Sequence, residues 1–244
     1  MLLARDPGAR PGAPRGILRY TVDYTVASLR QNLNKAVRAL IRDIAAKMPE
    51  FAHVKASRIL VVAGEARRAS RGTVKPLCFR GGRSTDRTGR RKPIIRIRSR
   101  RMLYCITLRP LFFRSSTAQG RIETVMHELF HMSRRFDGTL HAGRRHSVLG
   151  KDFPRRLRPL VRRYLKQCPP ELLKTFAYSG EIRVLQWLER PGPAYAPGTR
   201  GVRKVYTEEQ LYYGITRMVT RKRPHPPKLP RPQRKERPEK ERLH

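Results

Sequence analysis

Apolar and polar positions alternate along this chain with two distinct periods, and the switches between them mark its elements. Tyr20, Val22 and Tyr24 alternate with polar neighbours over Arg19–Thr25, which predicts a strand. Leu29, Leu33, Val37, Leu40, Ile41 and Ile44 then recur at three- and four-residue spacing, predicting an amphipathic helix over 27–47 that stops before Pro49. The apolar, β-branched run at Arg58–Ala63 predicts a buried strand, and 74–79 a second. Residues 94–98 alternate as an edge strand with one wet face would, and a strand at 102–108 ends before Pro110.

The helical period returns with Ile122, Val125, Leu129 and Met132, behind a Ser116-Thr117-Ala118-Gln119 segment of capping-box form, so a helix is predicted over about 117–133. Leu157, Leu160, Val161 and Leu165 predict another over 154–167, with arginines filling its outer face, and 170–177 reads as a short further helix opened by Pro170. Periodicity does not decide between strand and helix end at 182–188, which contains the single tryptophan, Trp187, a core residue on this reading. Thr207-Glu208-Glu209-Gln210 has capping-box form, and Leu211, Ile215, Met218 and Val219 extend it as a helix over 206–220, with Tyr212 and Tyr213 packing back onto the domain.

These elements predict an α+β fold: a mixed sheet of about four strands packed on the N-terminal helix and the 117–133 helix, followed by helices. The Pro-, Gly- and Arg-rich lead at 1–16 reads as disordered. Residues 17–190 form the domain, 191–205 a linker, 206–220 the last helix and 221–244 a disordered, basic, Pro-rich tail. A basic loop at 80–93 is expected to be mobile.

Charge changes the picture most. Lys and Arg number 56 against 18 Asp and Glu, a net charge of +38. Either the arginines are a solvated shell, or the surface and the tail attract polyanions; non-specific nucleic-acid binding at low salt follows in both cases. Cys78, Cys105 and Cys168 are odd in number and far apart, which argues for thiols rather than a disulfide framework or a structural zinc ribbon. No apolar run is long enough to span a bilayer and the first residues lack a signal-peptide core, so a cytoplasmic protein without a membrane partner is expected.

The chemistry is concentrated in His127-Glu128-Leu129-Phe130-His131. Two imidazoles four residues apart on a helix share a face and can bind one metal ion. The carboxylate beside the first can reach a water there, the place of a general base, and the combination suits hydrolysis of an amide in a peptide or protein substrate. A catalytic zinc ion takes three protein ligands. The third candidates, in order of preference, are His146, His141 and Asp137; the last lies six residues after His131, but Arg134 stands where a chain turning back there would need glycine, and Phe136-Asp137-Gly138 reads as a turn. Arg144 or Arg145 would supply a second cation, and Glu123, one turn before His127, is either a surface carboxylate or an acceptor for a ring N–H.

His127–His131, then Arg135-Phe136-Asp137-Gly138-Thr139-Leu140 and Gly143-Arg144-Arg145-His146, together with Arg58–Val62 and Leu77–Gly82, resemble a family of phage metallopeptidases over about residues 50–190. The resemblance implies a zincin-like domain, zinc held by His127 and His131, and Glu128 as base. By analogy, the strand at 102–108 would lie nearest the substrate. The competing reading is a basic nucleic-acid-associated protein with a structural or vestigial metal site, and a DNA-associated metalloprotease combines the two.

Overall fold

The computed structural model describes residues 30–64, 71–109, 113 and 115–219. The described elements, from Gln31 onward, lie in one compact unit. The expected strand at 19–25, the lead at 1–16 and the tail at 221–244 fall outside the described residues.

The fold is α+β with mixed sheets. Strand β1 (Gln31–Asn32) runs into helix α1 (Leu33–Lys47), and β2 (Ile59–Ala63), β3 (Gly72–Pro76), β4 (Ile94–Ile97), β5 (Arg100–Arg101) and β6 (Tyr104–Leu108) come next along the chain. Helix α2 (Ala118–Phe130) carries the histidine motif; α3 (His146–Leu149), α4 (Asp152–Gln167) and α5 (Pro170–Ala177) precede β7 (Gly180–Trp187), β8 (Val205–Tyr206) and β9 (Leu211–Met218). Instead of about four strands, the described residues form six in the main sheet, ordered β1-β7-β2-β6-β3 with β9 on β7, and three in a second sheet, β5-β4-β8.

The pattern explains the layering. Strand β2 is apolar throughout and lies parallel between β6 and β7, as a strand covered on both faces must be. Its odd residues, Ile59, Val61 and Ala63, join the helices in one core, while Leu60 and Val62, with Cys105 of β6, face a second core with Ile95, Met102 and Tyr206. Trp187 and Leu211 pack at the margin of that second core. Asn34 stitches the seam: its Nδ2 donates to the Val61 carbonyl at 2.6 Å, and its Oδ1 accepts from the Leu185 amide at 2.8 Å. Buried Arg121 likewise donates to the carbonyls of Phe113, Phe176, Tyr178 and Val219, tying α2 to the ends of α5 and β9.

Several elements differ from expectation for identifiable reasons. Helix α1 starts at Leu33 because Asn32 caps it, accepting from the Lys35 amide at 3.0 Å, and α2 is capped by Thr117 rather than Ser116. The capping box at Thr207 forms, but it closes a single 3-10 turn at Glu208–Gln210. The chain then enters strand β9 and not a helix: Leu211–Met218 pairs antiparallel with all eight residues of β7, and Tyr212, Tyr213, Ile215 and Thr216 are better strand than helix formers. Tyr212 and Tyr213 stay exposed. Within the expected linker, Tyr195 exchanges backbone hydrogen bonds with Arg91, and Val205 begins β8 on β4. The expected mobile loop at 80–93 has anchors: Lys92 Nζ donates to the Pro76 and Cys78 carbonyls, and Asp86 accepts from Thr88 and Arg90. All three cysteines are free thiols, Cys168 only partly buried. Among the described residues no helix is long and apolar enough to cross a membrane.

Candidate metal centre

Helix α2 presents His127 and Glu128 from its last turn, and His131 stands at its C-cap in helical conformation. The chain then reverses through a turn that the core dictates. Phe136, at φ +50°, buries its ring 5.0 Å from that of Tyr104. The Tyr104 hydroxyl donates to the Thr139 carbonyl and accepts from the Gly138 amide. Gly138 sits at φ +82°, where a Cβ would lie 2.7 Å from Cys78 Cβ, so only glycine fits. A backbone bond from the His141 amide to the His131 carbonyl, 2.8 Å, brings the returning strand alongside the helix end and delivers residues 142–146 over the histidines.

The Nε2 atoms of His127, His131 and His146 converge there, separated by 3.0 Å (His127–His146) and 3.2 Å (the two pairs with His131). Four-coordinate zinc with metal–nitrogen bonds of about 2.05 Å needs donor separations of about 3.3 Å, so the triangle matches three corners of such a site. Ring chemistry agrees. His131 Nδ1 lies 2.7 Å from the Arg144 carbonyl, which can only accept, so this nitrogen carries the proton and Nε2 keeps a lone pair. Burial, reinforced by the other two rings, pushes His127 down to about 3 and leaves it neutral. The three-histidine group could therefore hold a metal ion.

Phe153, near the start of α4, forms the floor beneath all three rings, with centroids 4.2 to 4.9 Å away. It is 2% exposed, and nothing in its local sequence separates it from an ordinary core residue. The cleft above has a volume of about 600 Å³, and its walls include Glu123, Glu128, Arg71 and Arg145. Glu128 is 4% exposed, and burial pushes its carboxyl up to about 8 against the opposing pull of the Val74 amide and Arg109.

The other sequence candidates are not brought into the triad. Asp137 is spent on its turn, accepting from the Thr139 amide and hydroxyl and from the Gly81 amide. His141 lies at the N-cap of the Ala142–Arg144 turn, and its Nδ1 is buried away from the three converging nitrogens. Arg144 is buried, stacked on Phe130 and donating to the Phe130 carbonyl, so only Arg145 of that pair lines the cleft. Glu123 lines the cleft without a hydrogen bond to a histidine ring among the described residues. The expected cleft strand is corrected too: β6 is covered on both edges by β2 and β3, and Gly72, Thr73 and Val74 of β3 form the wall. A Cβ on Gly72 would lie 3.1 Å from Glu128 Oε1, which shows how closely that edge approaches the carboxylate. No protein-family model, curated protein or solved structure matches this chain.

Proposed function

We propose that this protein is a zinc-dependent hydrolase of the zincin-like kind, a metallopeptidase that cleaves peptide bonds. The observation that carries the reading is the coincidence, in one open cleft, of three converging imidazole nitrogens and a buried carboxylate from the helix that carries two of them. Three nitrogen donors are the protein share of a catalytic zinc site, and borderline-soft imidazole suits zinc better than magnesium or calcium. His127, His131 and His146 would hold the ion, which supplies Lewis acidity and makes water acidic enough to attack near neutral pH.

The remaining work falls to the chain's own groups. Glu128 takes the proton from the attacking water and returns it to the leaving amine nitrogen. Its dry setting raises its affinity for the proton it must hold between the two transfers, and a cation held by the three histidines would favour the ionised form needed to accept that proton. Arg145, on the cleft wall, offers a cation to carbonyl charge developing on the substrate. Strand β3 is an edge of its sheet, so an extended peptide can be held along it by backbone hydrogen bonds.

Purified protein is expected to contain one zinc per chain, lost in His127→Ala. Glu128→Gln should retain the zinc and lose hydrolysis of a casein or peptide-library substrate. Activity persisting in Glu128→Gln would eliminate the mechanism. Zinc binding without turnover in the unaltered protein would favour a structural site in a nucleic-acid-associated protein.

A further inference from the structure

A second concavity, of about 530 Å³, opens beside the turn after α2, and four arginines line it: Arg80, Arg83, Arg87 and Arg135. None of the four forms an ion pair among the described residues. Carboxylates are present but committed. Asp137 accepts from Gly81 and Thr139, and Asp86, on the adjoining surface with Phe79 and Thr88, accepts from the Thr88 amide and hydroxyl and pairs with Arg90. Both therefore hold the two loops in place, while Arg80, Arg83, Arg87 and Arg135 stay exposed, Arg83 donating only its Nε to the Arg80 carbonyl at 3.3 Å. The loops themselves are clamped together by the Gly81–Asp137 bond and the Cys78 amide to Gly138 carbonyl bond, so the concavity has a fixed floor.

We infer that this concavity is a binding site for the phosphodiester backbone of a nucleic acid. Guanidinium forks match phosphate oxygens in geometry as well as charge, and four around one hollow repel each other unless a multiply charged anion lies between them. An extended polymer fits better than a small anion because further exposed arginines, Arg96, Arg98 and Arg100, follow this loop in the chain on the hairpin of β4 and β5. Arg98 and Ser99 turn that hairpin at φ +48° and +60°, a conformation that disfavours both side chains but lifts Arg98 to its tip; the Arg98 amide donates to Glu208, which holds it there. This inference is independent of the hydrolase reading, since none of its residues is at the metal centre.

With so large a net charge, mere binding of DNA proves nothing, so the test compares two variants of equal charge. In one, Arg80, Arg83, Arg87 and Arg135 are changed to Gln; in the other, Arg156, Arg158, Arg162 and Lys166 on the exposed face of α4. Affinity for labelled duplex DNA, single-stranded DNA, RNA and inorganic polyphosphate is read by fluorescence anisotropy across a salt series. The concavity variant should bind nucleic acid more than tenfold more weakly, with the slope of log K against log salt reduced by about 3 to 4 for duplex. The α4 variant should change it less than threefold, and changing the same four concavity residues to Lys should retain most of the slope. Equal losses in the two Gln variants would mean a diffuse shell and overturn the assignment. So would a loss confined to polyphosphate with nucleic-acid binding intact. Zinc content and peptidase activity of the concavity variant, unchanged on this inference, separate its failure from that of the hydrolase reading.

Discussion

Removing the ring beneath the three histidines tests the architecture of the metal centre without touching a ligand. Phe153 is 2% exposed and contacts Phe130 and all three imidazoles. Truncating a buried phenylalanine to alanine costs about 3–5 kcal/mol. The lower end applies here, because His146 on the rim of the hole is exposed and water can enter past it. For a folded unit of this size, about 3 kcal/mol lowers the melting temperature by roughly 6–12 °C. The rings also lose the stop that fixes their tilt, and loss of such supporting contacts weakens metal binding about 10–100-fold. Differential scanning calorimetry of chelated Phe153→Ala measures the first effect, and competition with a chromogenic zinc chelator the second. Phe153→Leu, which keeps most of the volume, should recover more than half of both. If Phe153→Ala melts within about 2 °C of the unaltered protein and binds zinc equally well, the ring does not support the histidines and the reasoning from its burial fails.

Other consequences are more local. Gly138→Ala should destabilise by about 2–4 kcal/mol in urea titrations, from its left-handed φ and its collision with Cys78, whereas Gly81→Ala, with open space around it, should cost about 1 kcal/mol. Arg121→Met leaves the buried bonds to the Phe113 and Phe176 carbonyls and the part-buried ones to Tyr178 and Val219 without their donor and should cost at least about 3 kcal/mol; Arg121→Lys should recover little of it, because an ammonium cannot span the four positions. In the chelated protein, burial raises Glu128 to about 8, so the folded state binds that proton before the unfolded one does and stability rises as pH falls from 8 towards 4.5. Burial lowers His127 to about 3, so the unfolded state is protonated first and stability falls as pH drops from 6.5 towards 3. The Glu128 contribution, about 1.4 kcal/mol per pH unit, gives a gain from pH 8 to 6.5; below 6.5 His127, with His131 also lowered by burial, outweighs it and the balance turns to a loss. Urea midpoints at pH 8, 6.5 and 4 should trace that shape, and the rise between pH 8 and 6.5 should vanish in Glu128→Gln; its survival there would contradict the assignment.

The sequence makes readable what neighbouring residues decide among themselves. The three- and four-residue spacing around Ile122, Val125 and Leu129 defines α2, and the helical repeat by itself puts His127 and His131 on one face with Glu128 beside them. The Phe136-Asp137-Gly138 turn was legible because Asp137 bonds within two residues and Gly138 takes a conformation other residues resist. The continuous apolar run of β2 announced a covered strand for the same local reason. Where a residue's partner lies far along the chain, local pattern had nothing to say. His146 led the sequence candidates for the third ligand, but what seats it beside the other two is the backbone bond from His141 to His131; Phe153 reaches them from another helix, and β3 rather than β6 borders the cleft because of the order in which strands assemble. The same holds for β9, whose residues carry a helical spacing and a capping box yet pair along the whole of β7. Spacing sets which side chains share a face; it does not say which distant backbone will satisfy that segment's N–H and C=O groups, and here that pairing made the choice.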